Sequence, residues 1–463
     1  MWGAACWADN PRMDSRQLAE RICTALRNAG HQAYFVGGCV RDIVLGHVPK
    51  DFDVATDATP DRVQALFPCS VAVGAAYGVI LVVDGESGAK VEVATFRSDL
   101  GYSDGRRPEA VVFARTAEED VQRRDFTING LLQDPRDGLL LDFVGGLPDL
   151  QARIVRAIGN PVDRFREDKL RMLRAVRFAA RFGYTIDAAT FAAIRPHAAE
   201  IAVVSAERIR DELTRILTEG GARRGFELLN ESGLLEQVLP EVSRMRGVAQ
   251  PPEYHPEGDV WVHTLMLLEQ LPAGVSPALA WGALLHDVGK PPTFTAPRGP
   301  GDRIRFDRHV EVGVRLAEEI AGRLRLSGDE TERILALVAQ HMRFVDVPEM
   351  RQSTLKRFVR QPHFDEHLAL HRMDCLASHG KLDTYEFVSK FIAETPAEAV
   401  RPARLVTGDD LKALGLPPGP AYRQIIEAVE EAQLEGKVAT REQALESVKK
   451  WLVAGVTGHH VTN

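Results

Sequence analysis

The sequence predicts an α+β chain: a small mixed α/β head followed by an elongated all-α neck, body and tail. Short apolar runs with strand character cluster before about residue 145 and then almost vanish. Beyond that point apolar residues recur at helical spacing, broken by Pro and Gly. The length, 463 residues, calls for two to four domains rather than one core. We divide the chain into a flexible leader (1–14), the head (15–147), a neck (148–250), a body (251–395) and a helical tail (396–463).

The elements follow in order. Residues 15–29 read as an amphipathic helix through Leu18, Ile22, Ala25 and Leu26. A short strand at 32–36, a Gly37-Gly38 turn and a helix at 39–45 come next, and 51–55 reads as a strand. Residues 78–84 and 90–96 flank the turn signal Gly85-Glu86-Ser87-Gly88, which predicts a hairpin. Pro-rich breaks near 248–256, 291–300 and 396–402 mark loops or boundaries. Two tail helices are expected, one lined by Ile425, Ile426, Val429 and Ala432, the other by Ala444, Leu445, Val448 and Trp451.

Bulk properties narrow the class. No apolar run reaches membrane-spanning length, so no membrane partner is expected. The start lacks the basic and apolar regions of a secretory signal, and Met13 is an alternative first residue to Met1. The cysteines Cys6, Cys23, Cys39, Cys69 and Cys375 form no C-x-x-C pair, so neither a zinc ribbon nor a disulfide framework is expected, and a reducing cytoplasm fits. Net charge is −8, which alone speaks against nucleic acid, but residues 151–225 hold fifteen Lys/Arg against nine Asp/Glu.

Three features of the head point to phosphate and metal chemistry. In Val36-Gly37-Gly38-Cys39-Val40-Arg41-Asp42 a strand ends, Gly37 and Gly38 let backbone approach a ligand, and a helix starts beside Arg41, as phosphates require. In Asp51-Phe52-Asp53 two carboxylates share one strand face, where they repel unless a cation lies between them. Mg²⁺ favours one or two carboxylates plus substrate phosphates. Glu92, in the next strand, is a candidate third carboxylate of a two-metal site.

Gly-Gly-x-Val-Arg-Asp followed by Asp-Phe-Asp resembles the opening motif of the class II tRNA nucleotidyltransferase and bacterial poly(A) polymerase family. Residues 97–110 resemble that family's flexible loop, Arg123-Arg124-Asp125-Phe126-Thr127-Ile128-Asn129 its second motif, and residues 166–178 its nucleotide-selecting helix. The resemblance implies that Gly38, Arg41, Arg124, Asp168, Arg171, Arg174 and Arg177 line a nucleotide site, and that Asp51 and Asp53 bind catalytic Mg²⁺. It implies CTP, ATP and tRNA as partners.

Asp168 and Arg171 are three apart and on one helix would share a face. Asp only accepts hydrogen bonds and Arg only donates. Cytosine and adenine present an amine beside a ring acceptor, whereas uracil and guanine place a carbonyl oxygen there, which Asp168 would repel. Arg174 and Arg177 continue the stripe, as a triphosphate or RNA backbone requires. Ser205-Ala206-Glu207-Arg208-Ile209 resembles a family motif that stiffens the neck, with Ser205 as N-cap, and is assigned structure rather than chemistry.

A second constellation follows. His263, His286-Asp287 and Asp374 form H…HD…D, and neutral imidazoles with carboxylates at helix ends suit a divalent metal of unspecified identity. The pattern resembles the HD phosphohydrolase superfamily. His309 and His341 lie where two-metal members place extra histidines, as ligands or phosphate contacts. Such a domain would hydrolyse phosphoesters, for example a 2′,3′-cyclic phosphate or a 3′-phosphate on a tRNA end.

These readings converge on template-independent addition of CCA to tRNA. A-only, CC-only and poly(A) addition are alternatives within the class. The full-length loop at 97–110 speaks against CC-only addition, and the lack of a basic GRRF-like segment at 73–78 against poly(A) addition. An HD hydrolase with an RNA-binding head, or a non-catalytic RNA-binding protein, are the readings from other classes.

Overall fold

The computed structural model describes residues 13–74, 78–102 and 108–453. They form two compact units. One holds the described residues up to Arg244, with Leu271–Pro277 and Ile320–Leu326; the other holds Met245–Gln270, Ala278–Glu319 and the described residues from Ser327 on.

The first unit opens with α1 (Ser15–Asn28). Asp14 and Gln17 close a capping box at its start, and Leu18, Ile22 and Leu26 are buried. Then come β1 (Ala33–Val36), α2 (Gly38–Val44), β2 (Asp53–Thr56), α3 (Pro60–Leu66), β3 (Ser70–Gly74), β4 (Val79–Val83) and β5 (Lys90–Thr95). A hairpin of β6 (Arg97–Tyr102) and β7 (Pro108–Phe113) precedes α4 (Ala117–Gln122), β8 (Leu131–Gln133) and β9 (Leu140–Asp142). Seven strands make one sheet in the order β3-β4-β5-β2-β1-β8-β9. Only β2 and β5 run parallel. The expected β4–β5 hairpin forms, with Val82 opposite Val91. The flexible loop read at 97–110 has its described flanks paired as the β6–β7 hairpin; residues 103–107 lie outside the described residues, as do 75–77 of the segment compared at 73–78.

The strand read at 51–55 begins two residues later, at Asp53. Gly37 turns the chain out of β1 with φ +75°, so β1 offers no ladder partner before Val54, and Asp51 stays exposed ahead of the strand. Asp51 and Asp53 therefore do not share a strand.

The neck adds α5 (Gly146–Ala152), α6 (Pro161–Glu167), α7 (Arg171–Phe182), α8 (Ala188–His197), α9 (Ala206–Thr218) and α10 (Ala222–Glu231). It is not wholly helical, since Ile154–Val155 and Thr185–Ile186 pair as a short parallel ladder. Residues 166–178 do not form one helix. Asp168 is extended, at φ −143° and ψ 106°, and its carboxylate accepts from Leu170 N at 3.1 Å. That side-chain bond competes with the helix and breaks it between α6 and α7. Asp168 and Arg171 are thus brought together by a break, not by helical spacing.

α7 buries Met172, Leu173, Ala175 and Val176 and packs on α9 and α10. The join from α9 to α10 runs through Gly221, at φ +74°, where a Cβ would come within 2.3 Å of the Ala180 carbonyl oxygen.

Among the described residues the second unit is built of helices apart from the two-residue pair Phe294–Thr295 with Arg305–Phe306 and a single bridge between Ala249 and Asp259. Trp281, Leu284 and Leu285 are fully buried in it. The tail forms its own cluster, with Ile425, Val429, Ala444 and Val448 buried and Ile426, Ala432, Leu445 and Trp451 packed against them, as the periodicity predicts. Cys23, Cys39 and Cys375 are free and buried, but Cys69 is disulfide-bonded, which departs from the expectation of thiols alone. Among the described residues no helix is long and apolar enough to cross a membrane.

Gly221→Ala is expected to destabilise the first unit by about 3 kcal/mol, adding left-handed backbone strain to a backbone clash. Gly30→Ala, at φ +88° with nothing within 4 Å of its Cβ, should cost about 1 kcal/mol. Urea unfolding of both variants checks this; equal losses would refute the close approach.

Candidate nucleotide pocket and candidate metal centre

A cavity of about 450 Å³ opens in the first unit. Its lining includes Gly37, Gly38, Arg41, Asp53, Arg124, Asp168, Arg171, Arg174 and Arg177, all singled out in the sequence. It also includes Arg123, Asp125, Asn129, Phe178, Arg181 and Arg208, so eight arginines face three aspartates. Asp51 and Glu92 are not among the lining residues, and both are exposed.

The arginines are held by carboxylates, some of them outside the lining. Asp120, 1% exposed, binds Arg123 at 2.6 Å and Arg124 at 2.9 Å. Arg174 binds Asp125 at 2.6 Å, and buried Arg177 binds Glu212 at 2.7 Å. Arg41 donates to Asp42 and to Asn129 Oδ1, while Asn129 Nδ2 donates to Asp125. A continuous polar chain thus runs from the Gly37-Gly38 turn to α7. Burial opposes ionisation of Asp125, but Arg174 and the amide of Asn129 hold its carboxyl down at about 2.

The acids show the opposite balance. Asp53 opens β2 directly beside Glu92 in the parallel β5 register. Burial first, then Glu92 and Asp51, push the Asp53 carboxyl up to about 6, against the pull of Arg124. Crowded carboxylates raised in this way fit a divalent cation, which would relieve their repulsion. In the corner that holds Asp168 and Arg171, Arg171 donates to Glu167 at 2.6 Å and to the carbonyls of Arg164 and Arg123. Asp168 pairs instead with Arg208, at 2.7 Å.

In the second unit six residues named from the sequence converge. His263 Nε2 lies 3.1 Å from Asp374 Oδ1 and 3.3 Å from His286 Nε2, and His286 Nε2 lies 3.2 Å from Asp287 Oδ2. His309 and His341 Nε2 lie 3.9 and 3.7 Å from Asp287 Oδ1. Their Nε2 atoms are buried and lack a hydrogen-bond partner, a state that needs a ligand to explain it. Every Nδ1 is anchored elsewhere: His286 on Ala283 O, His309 on Phe306 O, His341 on Val338 O and His263 on Glu257. With Nδ1 donating, the Nε2 atoms of His309 and His341 turn a lone pair to the centre, the arrangement of metal-ligating imidazoles. Burial opposes protonation of His263, yet Asp374 and Glu257 push it up to about 9. A bound cation would take that proton's place.

Sequence reasoning missed several of these residues. Lys290 Nζ sits 2.7 Å from Asp287, three residues on in the same motif, so its closeness in sequence could have found it. Glu257 takes hydrogen bonds from both His255 and His263, but it lies in an irregular loop where no periodicity points to it. Arg208 carried a signal, a positive charge in the first turn of α9.

This architecture defines a nucleotidyltransferase-type head with an attached HD-type domain. The chain matches the family descriptions "Poly A polymerase head domain" over residues 33–156, "Probable RNA and SrmB- binding site of polymerase A" over 183–245 and "HD domain" over 259–363. It is 30% identical over 441 residues to the CCA-adding enzyme of Geobacillus sp. (strain WCH70), covering 94% of this chain and 96% of that protein. The chain belongs to the CCA-adding enzyme family. To the enzyme of Levilactobacillus brevis it is 43% identical over 218 residues, a match spanning about half of that relative (54%), as with the enzyme of Limosilactobacillus reuteri (53%). The Bacillus stearothermophilus CCA-adding enzyme in complex with CTP aligns at TM-score 0.69 and 27% identity, over 96% of this chain and 100% of that one. The Thermotoga maritima CCA-adding enzyme complexed with tRNA shares the fold, at TM-score 0.60 and 18% identity over 95% of this chain and 97% of that one.

Glu257→Gln should weaken divalent-metal binding about 10- to 100-fold by loosening His263. Calorimetric titration with Mn²⁺, in an Asp53→Ala background so that the helical centre alone responds, reads this directly. An affinity within twofold of the parent would show that Glu257 does not hold His263.

Proposed function

We propose that this chain adds CCA to the 3′ end of tRNA from CTP and ATP without a template. The observation that carries this reading is one cavity in which Asp53, the Gly37-Gly38 turn, a wall of arginines and the Asp168/Arg171 corner meet. Arg41, Arg124, Arg174 and Arg177 would bind the triphosphate, as preorganised guanidinium groups do. Asp168 would accept the exocyclic amine of cytosine or adenine while Arg171 donates to the ring acceptor. Asp51 and Asp53 would hold Mg²⁺, with Glu92 as the third carboxylate beside Asp53. Two such cations would divide the work, one activating the attacking 3′ oxygen and the other holding the leaving pyrophosphate. The domain division given above, and a cytoplasmic setting among tRNA substrates, belong to the same proposal.

A second activity is supported by the metal centre. His263, His286, Asp287 and Asp374 would hold a divalent metal, with His309 and His341 completing the site. The adjoining cavity, about 560 Å³, is lined by Lys290, Arg303 and Arg305, cations suited to a phosphoester. This half would hydrolyse a 2′,3′-cyclic phosphate or 3′-phosphate, freeing the hydroxyl that the head extends.

The test is extension of tRNA lacking its terminal nucleotides with labelled CTP and ATP. Stepwise addition of C, C and A supports the proposal; addition of one nucleotide type alone assigns the A-only, CC-only or poly(A) variant. Asp53→Ala should cut extension at least about 100-fold while tRNA affinity changes less than about threefold. Equal loss of both would contradict the cation role. Asp168→Ala should raise the kcat/KM for UTP relative to CTP about tenfold or more. An unaltered ratio would remove this account of selection.

A further inference from the structure

Arg208 occupies the first turn of α9, where a positive charge opposes the helix dipole. Its neighbour Ser205 holds the N-cap position but makes no side-chain cap bond. The segment is therefore not explained as a helix start alone. Arg208 instead reaches into the nucleotide cavity and grips Asp168 with both arms, Nη1 to Oδ1 at 3.2 Å and Nη2 to Oδ2 at 2.7 Å. Asp168 Oδ1 also accepts from Leu170 N at 3.1 Å.

We infer that Arg208 is a positioning residue for nucleotide selection, acting through Asp168. The inference rests on the base-reading role proposed for Asp168. An ionised carboxylate offers about four acceptor places. Arg208 and Leu170 N occupy three of them. About one remains, enough for a single exocyclic amine and fixed in direction. The fork grip also commits the two Arg208 arms to Asp168, so they do not donate to the carbonyl oxygen of uracil or guanine. Arg171 is restrained in parallel: of its five N–H groups, three bonds already go to Glu167, Arg164 O and Arg123 O. Both readers of the base are thus oriented before it arrives, which is what discrimination by hydrogen bonding requires.

The experiment compares single-nucleotide extension with CTP and UTP in four full-length variants: Arg208→Ala, Arg208→Lys, Asp168→Ala and the Asp168→Ala/Arg208→Ala double variant. Arg208→Ala should lower the CTP-over-UTP preference about tenfold, mainly through a higher KM for CTP. Arg208→Lys keeps the charge but loses the fork, so its thermal unfolding should match the parent while the preference still falls. Any UTP gain in Asp168→Ala that comes from freed Arg208 arms should disappear in the double variant. If Asp168→Ala shifts the preference but both Arg208 variants stay within twofold of the parent, the inference is overturned. It is also overturned if Arg208→Lys and Arg208→Ala lose CTP and UTP use equally, as a purely structural role would give. If Asp168→Ala itself leaves the preference unchanged, the base-reading proposal beneath it fails instead.

Discussion

Eight guanidinium groups facing one cavity repel one another, and that cavity depends on the carboxylates paired with them. Two like charges 4 Å apart cost about 4 kcal/mol at the effective dielectric near a protein surface. Asp120, Asp125, Glu167 and Glu212 offset that repulsion pair by pair. Asp120 and Glu212 are nearly fully buried, so their ions are desolvated and need their partners as much as the arginines need them. The wall is thereby fixed in place before any ligand binds. A pocket of this kind meets a phosphate chain without reorganising, and that is where preorganised electrostatics have most effect.

The same constraint appears inverted in the helical unit. There the core of the site is acidic, Asp287 and Asp374, and the balancing groups are imidazoles and Lys290. Anchoring each Nδ1 to a carbonyl or to Glu257 leaves the Nε2 atoms converging on one small volume. Protonation of His263 is one way to neutralise that arrangement, and a divalent cation is another. In each unit some of the holding partners stand outside the cavity lining, Asp120 and Glu212 in the first and Glu257 in the second.

Much of this was legible in the chain. The Gly37-Gly38 turn, Asp53, and the arginines Arg41, Arg124, Arg171, Arg174 and Arg177 all reach one cavity, because a strand–turn–helix unit and an arginine stripe are local patterns. His286-Asp287 was legible for a similar reason, as a polar pair directly after an apolar helix. What misled was regularity. The D-x-D spacing puts Asp51 on the strand with Asp53, but the ladder begins only at Asp53, opposite Glu92. Asp168 was placed on one helix with Arg171, but its own carboxylate captures Leu170 N and ends that helix.

By itself the sequence determined the α/β head and helical remainder, the phosphate-turn and acid motifs, and which side chains were available for chemistry. Those follow from periodicity and from residue types acting over a few positions. Only the tertiary structure decided who holds whom: Arg208 with Asp168 across 40 residues, Arg177 with Glu212 across 35, and Glu257 with His263 from an irregular loop. Such pairings are set by how helices pack, and packing energy is summed over distant apolar contacts that no local pattern of charged residues records.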